Sequence, residues 1–211
     1  MSLITSKLTS TSSLAETQDM IAALRFLKRK IAALLLQKCC DDPTVFALIQ
    51  SDHSRFVSCG SHPKTILDLF LFNLEFRSVF FYRAGLEKSA SKFLYRLYPP
   101  LPTLHLGMKN CGPGLYIEHG FSTIVADVAM GKNCWINQQV TIGNTDKGSP
   151  TIGDNVKICA GAIVVGPISI GNGVTVGAGA VVAKSVPDDC VVVGNPAYIL
   201  KRNGLRVNEK L

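Results

Sequence analysis

The residues best equipped for chemistry lie in one short stretch, GLYIEHGFSTIVAD, where Glu118 and His119 interrupt an otherwise apolar pattern. An ordinary imidazole titrates near neutral pH. It can take a proton from a hydroxyl as that oxygen attacks, and a well-placed base of this kind contributes about 10²–10⁴-fold in rate. The plainer reading of a single histidine is a surface or packed side chain, and the residues alone leave both readings open. A three-histidine zinc centre finds no support, because only His105 and His119 stand in the second half of the chain. The seven cysteines (Cys39, Cys40, Cys59, Cys111, Cys134, Cys159, Cys190) show neither metal-type spacing nor a nucleophile motif.

The elements that must position His119 are written in a six-residue ladder. From Thr151 to Ser185 aliphatic residues recur at Ile152, Ile158, Val164, Ile170, Val176 and Val182. Small or aliphatic residues follow four places later at Val156, Ala162, Ile168, Val174, Ala180 and Val186. The ladder runs backward through Ile142, Ile136, Met130 and Ile124, with one break where about four extra residues bulge out in GNTDKGSP. A period of six suits neither an amphipathic helix nor a simple alternating strand. It suits a three-faced coil whose turns stack at ~4.8 Å and bury a core only when several are stacked. The aliphatic residue points inward and the small one lets the corner close. Cys134 falls on a small-residue position and reads as a packed small hydrophobe.

The N-terminal half reads as helical. Residues 1–12 read as a disordered polar tail, and Ser13 with Glu16 forms a capping box for a helix to about Lys38, with Ile21, Leu24, Ile31 and Leu35 along one face. Asp42-Pro43 starts a second helix containing Val45, Leu48 and Ile49. A third runs from near Pro63 to Ala84, ended by Gly85, and KSASKFLYRLY makes a fourth segment that stops at Pro99-Pro100. The expected class is α+β, mainly β: a helical domain over 13–98, a left-handed parallel β-helix over 104–200, and a tail over 201–211. The aromatic cluster Phe70, Phe72, Phe76, Phe80, Phe81 and Tyr82 reads first as helical core, then as a subunit interface. A membrane-surface contact helped by Lys92 and Arg96 is the weakest of the three readings.

The net charge of +7 divides into +5 before Leu104 and +2 after it, without a dense basic run, so nucleic acid is not the expected partner. The start, MSLITSKLTSTSS, lacks the apolar core of a signal peptide, and ILDLFLFNLEFRSVFFY is interrupted by Asp68, Glu75 and Arg77. With reduced thiols, the expected compartment is the cytoplasm.

From about Leu101 to Asn203 the chain resembles the serine acetyltransferase-like branch of the hexapeptide-repeat acyltransferases. The resemblance is carried by GLYIEH, INQQVTIGN, PTIGDNVKICAGAIVVG, VGAGAVVAKSVP and VVGNPAYILK, and more loosely by FFYRAG before the hinge. It implies an acetyl-CoA-dependent O-acetyltransferase acting by direct transfer, without a metal, as a homotrimer with sites between neighbouring β-helices. Whether the helical half also joins two trimers stays open. His119 matches the branch's catalytic histidine. Ala160, Gly161, Ala178 and Gly179 match residues against the pantetheine arm, where a larger side chain would block it. Lys184, Lys201 and Arg202 are candidates for the cofactor's phosphates, and Pro196 for the adenine end.

Two departures concern the acceptor. The serine-using members pair their histidine with an upstream aspartate, where this chain has Leu104 in TLHLG, and His105 matches only the histidine of that segment. They also carry an Arg-His-Pro before the next rung, where this chain has Gly148-Ser149-Pro150 and Lys147 as the nearby cation. The expectation is therefore a sugar hydroxyl, on a surface or capsular glycan, ahead of L-serine. Glu118, His105, Asp127 and Lys147 are the acceptor candidates. A non-catalytic β-helix scaffold is the alternative from another class.

Overall fold

The computed structural model describes residues 2–61 and 65–211, with side chains described from residue 16 onward. Pro63, the expected start of the third helix, lies outside the described residues. The first helix, α1 (Ser2–Cys39), runs through the expected polar tail and past the Ser13–Glu16 pair. No Gly or Pro stands before Pro43 to break it, and Ser and Thr each cost only tenths of a kcal/mol relative to Ala, up to about 0.7. Its packed residues are Ala32, Leu36 and Cys39, while Ile21 and Leu24 of the expected face are exposed.

Helix α2 (Pro43–Ser58) starts as read: Pro43 opens it and the Asp42 carboxylate accepts from the Thr44 N–H at 2.8 Å. The single third helix is corrected to two, α3 (Ile66–Phe72) and α4 (Leu74–Ala84). Asn73 divides them, because its side chain accepts the Phe76 N–H at 2.7 Å and so caps a new helix in mid-segment. Gly85, at φ 67°, ends α4, and α5 (Ser89–Leu97) follows. Phe70, Phe76, Phe80 and Phe81 are buried in edge-to-face contacts, so the cluster is core, with Phe72 exposed. No described helix is long and apolar enough to cross a membrane.

The second half is a parallel solenoid. Its strands in chain order are β1 (Leu104–Leu106), β2 (Asn110–Cys111), β3 (Tyr116–Ile117), β4 (Thr123–Val125), β5 (Ala129–Met130), β6 (Trp135–Ile136), β7 (Thr141–Gly143), β8 (Thr151–Ile152), β9 (Lys157–Ile158), β10 (Ile163–Val165), β11 (Ser169–Ile170), β12 (Thr175–Val176), β13 (Val181–Val182), β14 (Cys190–Val193), β15 (Tyr198–Arg202) and β16 (Leu205–Lys210). Every third strand joins one face. The first sheet is β1-β4-β7-β10-β13, the second β2-β5-β8-β11, and the third β3-β6-β9-β12-β14-β15-β16. The ladder residues from Met130 to Val182 are buried, as are the small residues between them and Cys134.

Two solenoid expectations need correction. Ile124 is 48% exposed, and Val125 takes its inward place, in register with Ile142. The coil from Val125 to Met130 is one residue short of a hexad, and a one-residue slip turns a side chain to the opposite face. The expected tail over 201–211 is a hairpin strand: β14, β15 and β16 pair antiparallel, turning at Asn203-Gly204 with φ of 49° and 78°.

The two halves are joined by a buried ion pair. Arg83 Nε donates to Asp52 Oδ2 at 2.8 Å, with side chains only 3% and 1% exposed. Asp52 Oδ1 also accepts the N–H groups of Gly114 (2.9 Å) and Leu115 (2.8 Å). Arg83 donates further to the carbonyls of Cys111 and Gly112. Removing one member of such a pair strands a buried charge, which costs about 3–5 kcal/mol. Asp52→Ala is expected to lose that much in urea unfolding, whereas Arg29→Ala, which breaks an exposed pair with Asp68, should cost under about 1 kcal/mol.

Candidate functional site

The turns from the third sheet to the first stack into one edge of the solenoid, and this edge carries most of the expected site. His119 lies in the turn between β3 and β4, Ala160-Gly161 between β9 and β10, and Ala178-Gly179 between β12 and β13. Backbone bonds tie the successive turns: Gln139 N–H to Phe121 O (3.0 Å), Gly161 N–H to Gln138 O (3.0 Å), and Gly179 N–H to Ala160 O (2.9 Å). His119, Gln139, Gly161 and Gly179 share left-handed φ angles of 53°, 58°, 70° and 66°. A Cβ on Gly179 would meet nothing within 4 Å, and one on Gly161 only the Gly179 nitrogen at 3.9 Å. From Gly161 to Gly179 the edge is thus an open shelf free of side chains, and Gln138-Gln139 stand in the turn between it and His119.

His119 is solvent-exposed. Gly120 behind it is buried, and a Cβ there would come within 2.7 Å of Ile117 and 3.0 Å of Leu104. The Gly120 N–H donates to Glu75 Oε1 of α4 at 3.3 Å. Leu104 is buried in that contact, so the position carries apolar packing where an aspartate partner would have stood. Glu118 is held by the Trp135 indole N–H at 3.1 Å and the Asn137 amide at 2.6 Å.

The other candidates are placed elsewhere. His105 stands in β1, exposed and in register with Ile124 on the outer face of the first sheet. Asp127 lies in the turn from the first sheet to the second and pairs with Lys109 at 2.9 Å. Lys147 is exposed in a tight turn closed by Thr145 and Gly148, between the same two sheets. Within one chain neither shares an edge with His119. Lys201 and Arg202 sit at the far end of β15, beside Val191 and Cys190, and Arg202 pairs with Glu209 at 2.6 Å. Neither lines the cavity at the end of the shelf.

The hairpin brings other cations in. A cavity of about 880 Å³ beyond Gly179 is lined by Val181, Lys184, Pro196, Tyr198, Arg206 and Lys210. Lys184 and Pro196 both line it, and so do Arg206 and Lys210, which were not anticipated. Alternate residues of β16 face this cavity, and the signal for the strand was Asn203-Gly204, a strong hairpin dipeptide. Trp135 and Asn137 were also missed, since they occupy outward positions that the ladder does not constrain.

The bacterial transferase hexapeptide (six repeats) family model matches residues 149–184. The match covers the coils from β8 to β13. A serine acetyltransferase of Synechococcus elongatus is 44% identical over 110 residues, covering 50% of this chain and 45% of that protein. One from Staphylococcus aureus is 43% identical over 111 residues, covering 50% of this chain and 52% of its own. The chain thus spans about half the length of these relatives. Among solved structures, serine acetyltransferase from Brucella abortus aligns with TM-score 0.62 and 23% identity over 83% of this chain and 74% of that one. A serine acetyltransferase in complex with CoA aligns with TM-score 0.60 and 22% identity over 78% and 74%. At these identities the structures show the fold, an N-terminal helical half on a hexapeptide solenoid.

The solenoid thiols are packing groups. Burial pushes Cys134 up to about 12 and Cys111 up to about 11, from an ordinary 9.0. In the unfolded chain these thiols ionise near 9.0 while the folded chain keeps their protons. Their contribution is therefore complete below about pH 9 and lost as pH rises toward 11–12. Urea midpoints are expected to fall between pH 9 and 11, and the fall should shrink in Cys134→Ala.

Proposed function

We propose that the protein transfers an acetyl group from acetyl-CoA to an acceptor hydroxyl, with His119 as the general base. The observation that carries this reading is the shelf itself. An exposed histidine heads an edge that passes Gln138-Gln139 and then the small residues Ala160-Gly161 and Ala178-Gly179, and leads, four coil steps or about 19 Å on, to a cavity with three cations. A slender arm fits where Gly161 and Gly179 leave open space. Its phosphates fit against Lys184, Arg206 and Lys210, which donate charge-assisted hydrogen bonds.

The neutral His119 imidazole takes the hydroxyl proton as the acceptor oxygen attacks the acetyl carbonyl. The C–S bond then breaks, and the imidazolium returns its proton to the departing sulfur. A backbone N–H of the adjoining coil supplies the donor for the developing oxyanion. We place the complete site between neighbouring solenoids of a homotrimer, because one chain keeps Asp127 and Lys147 on a different edge from His119.

For the acceptor, the relatives named above favour L-serine over the sugar hydroxyl expected from the short bulge, and L-serine is the acceptor we propose. A sugar hydroxyl is the second reading. It is favoured by the buried Leu104 in place of a carboxylate and by Lys147 as the bulge's lone cation.

The test is CoA release from acetyl-CoA with L-serine and, separately, with sugars and glycan oligomers. Release with L-serine supports the first reading, release with glycans alone moves the assignment to the second, and release with neither leaves a scaffold. His119→Ala should lower kcat at least about 100-fold with CoA affinity nearly intact. The double variant Arg206→Ala/Lys210→Ala should raise the acetyl-CoA KM about tenfold or more, at unchanged kcat.

A further inference from the structure

Glu118 is the most constrained polar side chain on the shelf. Its Oε2 accepts from Trp135 Nε1 and from Asn137 Nδ2, while Oε1 has no partner among the described residues. Both donors come from the next coil. Ile117 pairs with Ile136, which sets Asn137 beside Glu118, and Trp135 stands two residues before Asn137, paired with Tyr116. Trp135 is itself wedged: Tyr116 meets its ring edge-on at 5.4 Å, and the Lys157 ammonium lies 3.6 Å above it. Tyr116 packs in turn on Phe56 of α2 at 4.8 Å. The stack runs from the helical half to the carboxylate, so Glu118 keeps little freedom to lose when a ligand binds.

A carboxylate with one oxygen saturated by two donors offers its other oxygen in a fixed direction, one residue before the base. We propose that Trp135 and Asn137 are positioning residues for the acceptor. They aim Glu118 Oε1 at a second donor group carried by the acceptor, within a few bonds of the hydroxyl that His119 deprotonates. The ligand class is thus an amino alcohol or a polyol, never a simple alcohol. The inference rests on the reading of His119 as the base. The ammonium of L-serine and the neighbouring hydroxyl of a sugar present the same donor chemistry.

Trp135 is the only tryptophan in the chain, so its emission reports on this site without turnover. Emission of the full chain is titrated with L-serine, with methyl glucoside and with 1-propanol, beside steady-state CoA release. The expected result is a saturable change with L-serine or methyl glucoside and none with 1-propanol. Asn137→Ala should weaken that binding about tenfold or more, with the acetyl-CoA KM and the melting temperature unchanged. Asn137→Asp sets two carboxylates face to face, and one must hold a proton to bridge them. Its acceptor affinity should therefore recover at pH 5 and fail at pH 8, a dependence that simple loss of packing would not produce. Equal acceptor affinity in Asn137→Ala and the unaltered chain, a parallel loss of acetyl-CoA affinity, or no emission response to either ligand would overturn the proposal. Saturable emission without CoA release would overturn the transfer reading and, with it, the acceptor role proposed for Trp135 and Asn137, leaving Glu118 as a ligand contact only.

Discussion

The arrangement depends on how the first coil of the third sheet is finished. A solenoid coil is stabilised by its neighbours, and β3 is the terminal strand of its sheet, with no coil before it. The helical half supplies what that coil would have supplied. The Asp52 carboxylate takes the N–H groups of Gly114 and Leu115, and Glu75 takes that of Gly120. Phe56 covers Tyr116. His119 lies between these anchor points, so its backbone is fixed on both sides by side chains from α2 and α4. Asp52 can be buried only because Arg83 accompanies it and because every other oxygen bond is satisfied; an unpaired charge there would be prohibitive.

The opposite end is closed by a different device with a similar consequence. β14 would leave an exposed parallel edge, a surface prone to unwanted pairing. The hairpin β15–β16 covers it antiparallel. Antiparallel return reverses the direction in which the chain advances across the face. Lys201 and Arg202 are not among the residues that line the cavity, whereas Arg206, paired with Lys201, and Lys210, paired with Tyr198, are. Each cap thus sets one end of the functional edge, the helices at the base and the hairpin at the cations. The repeat between them sets only the separation.

That division explains what could be read in advance. Residues bound by the six-residue period were legible: the buried ladder and the small corner residues follow from one spacing rule, whereas His119, Ala160, Gly161, Ala178 and Gly179 were singled out by the resemblance. The rule failed at Ile124, where a single missing residue between Val125 and Met130 shifted the phase. Features outside the period were harder. Asn73 ends one helix and caps the next, yet stands in a segment with no Gly or Pro to mark the break. Asp52 and Arg83 are 31 residues apart and carry no spacing that announces their pairing. Asn203-Gly204 is a hairpin dipeptide, yet the stretch around it was read as a tail.

The same division bears on acceptor identity. A groove for an extended arm needs repetition, small residues at equal intervals, and a periodic sequence provides it at every coil. Recognition of an acceptor needs the reverse, a set of groups that occurs once. Around His119 those groups are Glu118, Trp135, Asn137 and Leu104, each at a position where the period dictates nothing about side-chain chemistry. Trp135 and Asn137 face outward in β6 and the turn after it, where a hexapeptide coil tolerates almost any residue. Their joint hold on one oxygen of Glu118 is therefore not a by-product of building the solenoid. Trp135 also packs against Tyr116 and under Lys157, but the repeat requires neither its indole N–H nor the Asn137 amide, and both donate to one oxygen of Glu118.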